Sequence, residues 1–125
     1  MGKIIKTDMG SIEISQDVIC AIAGLAATTC YGLVGMASRT LQDGIAELLG
    51  KENLSKGIEV EIKDNSIKLK LFIIVEYGIR ITEVARNVFE KVKFAVEKAT
   101  GMTVEDVGII VQGVRVGASG KETIK

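Results

Sequence analysis

Residues 58–76, IEVEIKDNSIKLKLFIIVE, decide the fold. Ile58, Val60 and Ile62 alternate with Glu59, Glu61 and Lys63, the period of two expected of a half-buried strand. Asp64-Asn65-Ser66 supplies a turn, and the return strand opens with Ile67, Leu69 and Leu71 set against Lys68 and Lys70. Two such strands joined by a tight turn make a hairpin with one apolar face. The return strand then ends LFIIV at 71–75, apolar on both parities. Phe72 and Ile74 therefore fall on the second face, which must be covered or must offer a sticky surface.

Downstream, Ile81, Val84, Ala85, Val88, Val92, Ala95 and Ala99 recur at helical spacing, with Gly101 placed to stop the helix. Arg86 with Glu90, and Lys93 with Glu97, are i,i+4 pairs for its wet face. Phe94 lies about 120° from the apolar stripe at 100° per residue. It is read either as an edge contact with a loop or as a partner-binding anchor. A final strand is expected over about 107–116. Val107, Ile109 and Val111 share one parity and Val114 and Val116 the other, so a bulge near Gly113 would restore the phase. The tail from Gly117 is polar and is expected to fray.

Upstream, Ile12 and Ile14 alternate with Ser11 and Glu13 in a short strand. Ser15 is placed as an N-cap, with Asp17 in the first turn of an Ala-rich helix running to about Thr29. Gly32 and Gly35 bracket a short apolar run, and a short helix is expected over about 41–49, with Gly50 as its stop. The sum is an α+β fold. One short antiparallel or mixed sheet is packed by two long helices and one short helix. The chain has 125 residues, 47% hydrophobic and 26% charged, which suits a single domain that buries a core without staples. Its core is expected at about 8–116, with frayed termini.

The stretch VICAIAGLAATTCYGLVGMAS, residues 18–38, carries no charge and is long enough to span a bilayer. Its bulk is too low for that: Gly24, Gly32, Gly35 and four alanines (Ala21, Ala23, Ala26, Ala27) dilute it. It reads as a buried helix pressed against a sheet. Cys20 and Cys30, on one helix, would stand about 15 Å apart. That is beyond disulfide reach, so they are expected to be reduced buried thiols.

Catalytic chemistry is missing. There is no histidine, hence no His-based triad or metal site, and no activating base for either cysteine. No phosphate-binding glycine loop follows a strand. No cofactor or small-molecule substrate is expected. Sixteen Lys+Arg balance sixteen Asp+Glu. That argues against bulk phosphate binding and leaves no net repulsion between copies. Gly32-Leu33-Val34-Gly35 has the GxxG form with which KH domains clamp a nucleic-acid backbone, but its middle residues are apolar. A KH-like nucleic-acid module is the alternative function.

GSIEISQDVICAIAGLAA at 10–27, followed by YGLVGM at 31–36, resembles the opening signature of the alkaline shock protein family. IIVEYG at 73–78 and EKATGMTVEDVGIIVQGV at 97–114 resemble its closing signature. The resemblance implies a cytoplasmic envelope stress response protein of Gram-positive-type bacteria without known catalysis. It also implies membrane association only through an anchored relative. The family supplies no catalytic residues, so Glu76 and Gly78 are motif positions only. One departure is visible at Asn87-Val88-Phe89, where members often carry a glutamine. The expected function is a non-enzymatic protein–protein interaction module in envelope stress response or homeostasis. Its partners are expected to be itself or an anchored relative, met through Phe94, Phe72 and Ile74.

Overall fold

The hairpin forms as its alternation requires. β4 (Ile58–Lys63) and β5 (Ser66–Glu76) pair antiparallel, from Ile58 opposite Leu71 to Lys63 opposite Ser66. Asp64 turns the corner at φ 54°, a left-handed conformation that aspartate tolerates better than most residues. The computed structural model describes residues 3–39, 48–50, 55–116 and 123–124.

β5 is the spine of a mixed sheet. β4 lies along the near half of one of its edges and β3 (Leu33–Met36) along the far half, both antiparallel. Along the other edge runs β6 (Thr103–Arg115), parallel to β5 from Ser66 opposite Thr103 to Glu76 opposite Arg115. A parallel return needs a crossover, and α2 (Ile81–Thr100) provides it. The two residues of β7 (Thr123–Ile124) pair antiparallel with Val114 and Arg115. That part of the tail is therefore placed against the sheet and not frayed. The expected bulge is present: register jumps from Ile73–Val111 to Ile74–Gly113, leaving Gln112 extra. Val107, Ile109, Val111 and Val114 consequently all reach the same core.

Both helices cover that face. In α1 (Gln16–Thr28) the Ser15 Oγ accepts the Val18 N–H at 3.3 Å, closing the N-terminus beside Asp17. α2 ends on Gly101 at φ 76°, whose N–H donates to the Glu97 carbonyl. Its buried row is Val84, Val88, Val92, Val96 and Thr100, not the expected row through Ala95 and Ala99, and Ile81 is 44% exposed. α1 likewise buries Ile19, Ala23 and Ala27. Both rows step by four residues, the ridges that interlock when helices cross, and the small side chains of α1 let α2 approach. Beneath them Ile67, Leu71 and Ile73 are fully buried.

The opposite face of the sheet is split. Its near half carries Glu59, Glu61, Lys68, Lys70 and Asp106, exposed, with Glu59 between Arg39 (3.8 Å) and Lys70 (4.0 Å). Its far half is closed. Phe72 (8% exposed) and Ile74 (0%) form a second small core with Ala37, Val34 and Ile110. The reading of Phe72 and Ile74 as a partner surface is thereby corrected, because the chain covers them itself.

Two further expectations change. The short helix over 41–49 lies outside the described residues up to residue 47. Leu48 bridges Ala37 and the Leu49 N–H donates to the Met36 carbonyl, so these two residues are extended. Residues 3–7, taken as a frayed terminus, form β1 (Lys3–Thr7), which pairs with β2 (Gly10–Ile14) in a separate hairpin. Lys3 Nζ donates to the Asp64 carbonyl and ties that hairpin to the β4–β5 turn.

Candidate interaction surface

Helix α1, whose one charge is Asp17 in its first turn, is not buried all round. Ile19, Cys20, Ala23, Gly24 and Ala27 face the core. On the opposite side Val18 (48% exposed), Ala21, Leu25 (52%) and Thr28 face solvent, with Ile22 half-buried beside them. Positions i, i+3, i+7 and i+10 share one helix side. After the exposed Asp17 in the first turn, this solvent side carries no charge through Thr28, which is unusual for an exposed helix. The expectation of a buried helix is corrected here: α1 has two apolar sides and the fold uses one of them.

α2 presents the contrasting case on the same layer. Its solvent side carries Glu83, Arg86, Glu90, Lys91 and Lys98, the charged coat usual for a surface helix. Phe94, 66% exposed, stands among them, with the Lys98 ammonium 5.5 Å from its ring centroid. Lys91 Nζ reaches Thr29 Oγ1 at 3.4 Å, linking the rims of the two helices. The helix layer thus shows an apolar strip on α1 beside a charged rim that contains the exposed Phe94 ring. A greasy centre with a polar border is the anatomy of protein interfaces. Of the three residues expected to form the surface, the structure leaves only Phe94 outside. The α1 strip was missed, although Val18, Ile22 and Leu25 at i, i+4 and i+7 were its legible signal.

The groups that could carry reactions are disarmed. Burial, with Asp17 adding to it and Arg39 opposing it, pushes the Cys20 thiol from 9.0 up to about 11. Burial also raises Cys30, against the pull of Lys91. Both thiols are free. Their nearest acceptors are carbonyls, Ile58 for Cys20 and Ala26 for Cys30, each at 3.9 Å. At pH 8 a shift of two units leaves roughly a hundredfold less thiolate at Cys20. Cys20 should therefore react with an aromatic disulfide reagent at least about a hundredfold faster in denaturant than in the native state, and Cys30 should change in the same direction. Rapid native labelling of Cys20 would contradict the packing of α1.

Among the described residues no group of histidine, cysteine or carboxylate side chains could hold a metal ion. The GxxG segment is no backbone clamp either. Gly32 and Gly35 are buried and residues 33–36 are strand. A Cβ on Gly32 would meet the Ile79 and Val84 side chains at 2.7 and 2.8 Å, and Gly32 also needs its φ of 86°. A nucleic-acid backbone has no room to approach there. No helix among the described residues is long and apolar enough to cross a membrane.

Relatives place this architecture. The chain is 49% identical over 113 residues to YloU, an uncharacterized protein of Bacillus subtilis (strain 168), covering 90% of this chain and 94% of that one. It is 41% identical over 113 residues to an uncharacterized protein of Streptococcus pyogenes serotype M6, covering 90% and 93%. Among solved structures, the manganese form of a MamM CTD variant is similar at 13% identity and a TM-score of 0.47, over 78% of this chain and 96% of that one. That likeness is too distant to say anything of function. The match that decides the matter runs over residues 4–116, and the chain belongs to the alkaline shock protein 23 family, whose function is cell envelope-related.

Proposed function

We propose that this protein is a non-enzymatic, cytoplasmic protein-binding module of cell-envelope homeostasis and stress response. Its helix layer docks a membrane-anchored relative of the same family. The observation that carries the reading is the apolar exposed side of α1 beyond Asp17, with Val18 and Leu25 about half exposed. A soluble surface helix coated with alanine, valine and leucine is explained when another protein covers it. An envelope-related family, together with described helices none of which can cross a membrane, calls for attachment through a partner. The charged rim on α2 supplies orientation, and Phe94 supplies an anchor of the kind that dominates binding energy.

Phe94→Ala tests the anchor. Phe94 fills no core space, so the melting temperature should move by no more than a degree or two. Recovery of the anchored relative in native co-purification should fall at least about tenfold, the scale of a lost hot spot of about 2 kcal/mol. A melting temperature several degrees lower with recovery unchanged would make Phe94 a structural residue and remove it from the surface.

A further inference from the structure

Among the described residues, β6 has a strand edge that is closed at both ends and open in the middle. At its start, the Val104 N–H donates to Glu97 Oε2 at 2.9 Å, and Lys93 Nζ donates to the Val104 carbonyl at 3.4 Å. Lys93 and Glu97 are themselves 3.7 Å apart, so one ion pair of α2 satisfies the edge there. At its end, β7 pairs with Val114 and Arg115. Between these, over Asp106–Gly113, no strand among the described residues pairs with the side of β6 that faces away from β5.

Exposed edges are normally blunted by lysine, proline or bulges. This stretch, DVGIIVQG, has no lysine and no proline, and its one charge is Asp106 at the margin. Ile109, Ile110 and Val111 are each half-buried, so the edge is apolar on both faces of the sheet. Its irregularities fall at the two ends, at Glu105 just before the stretch and at Gln112 beside β7, where Gln112 Nε2 donates to the Ser38 and Arg39 carbonyls. Helix α2 follows the same division. Its row at 89, 93 and 97 runs along β6. Lys93 and Glu97 stand over the closed end, and Phe89, 39% exposed, comes two turns before Glu97. Two turns are about 11 Å, or three to four residues of strand. That sets Phe89 beside the start of the open stretch.

We infer that this edge pairs with the same edge of a second copy, β6 against β6, antiparallel about a two-fold axis near Ile110. The sequence is self-complementary in that arrangement. Ile109 faces Val111, Ile110 faces its own equivalent, and Gly108 faces Gln112. Asp106 falls opposite Val114 and not opposite another carboxylate, so no like charges meet, and the zero net charge of the chain adds no long-range repulsion. Paired strands spanning residues 107–113 stop just short of β7, which keeps its place. The antiparallel pairing of β7 shows the hydrogen-bonding sense that this edge accepts. Each sheet gains the edge it lacks, and the helix layers of both copies stay free. The self-pairing is therefore separate from docking through α1.

The test is oxidation of purified full-length Ile110→Cys. Residues directly opposite in an antiparallel pair have Cα atoms about 4.5–5.5 Å apart, within the span of a disulfide. The native thiols are buried and do not compete. A covalent dimer should form within minutes at micromolar protein, and Glu83→Cys, on the solvent side of α2, should give at least about tenfold less. Adding Leu25→Glu to Ile110→Cys should leave the yield unchanged. Amide exchange over 107–113 in the unmodified protein should slow at least about tenfold between dilute and concentrated samples. If Ile110→Cys gives no more dimer than Glu83→Cys, or exchange does not depend on concentration, the edge pairing is wrong. If Leu25→Glu abolishes the cross-link, copies meet through α1 and again the edge pairing is wrong.

Discussion

Leu71→Ala should cost the fold about 2–5 kcal/mol, the range for removing a large aliphatic side chain from a core that cannot collapse around the gap. Leu71 is fully buried in the central strand, opposite Ile58 of β4 on one side and Ile109 of β6 on the other. Its side chain belongs to the same core as Ile19, Ala23, Val88 and Val92 of the two helices, all fully buried. Two strands hold the Leu71 backbone in register, so the cavity stays open. Against a total stability of about 5–15 kcal/mol this is a large share, and the melting temperature should drop by roughly 10 °C or more. Urea unfolding would measure it, with the midpoint falling and the slope unchanged. A loss below about 1 kcal/mol would contradict the central placing of β5.

The same strand shows why some of this was legible and some was not. Period-two alternation over residues 58–71 reports a local property, the side to which each residue points. The hairpin and its apolar face follow directly. The bulge beside Gly113 was legible for the same reason, since Val114 could rejoin Val111 only through an extra residue. Alternation does not report what lies across the sheet. Phe72 and Ile74 were seen to need a cover, but Val34, Ala37 and Ile110 supply it from 35 or more residues away in sequence on either side. β1 was missed because Lys3-Ile4-Ile5-Lys6-Thr7 does not alternate, and its strand exists through pairing with β2. In α2 the helix was clear and its buried row was not. Ala95 and Val96 are both apolar, and only the crossing of α1 decides that Val96 goes inside. α1 is the sharper lesson. A helix with no charge after its first turn reads as buried all round, and composition alone cannot separate full burial from a second apolar side.

Leu25→Glu, on that second side, should have the largest functional effect. Leu25 lies mid-strip, about half exposed, and its side chain is not among the core residues. Glutamate and leucine have nearly equal helix propensity, so the fold should lose little, within about 1 kcal/mol. In a complex the new carboxylate would be desolvated against an apolar partner with nothing to pair it, which costs several kcal/mol. Binding through α1 should weaken at least about a hundredfold, and Val18→Glu, about two turns earlier on the same side, should do the same. The direct measurement is native co-purification of tagged wild-type and Leu25→Glu chains, with thermal unfolding of both as a control. The wild type should bring down a membrane-anchored member of its own family, and Leu25→Glu, equally folded, should bring down none. Equal recovery by the two chains would contradict docking through α1.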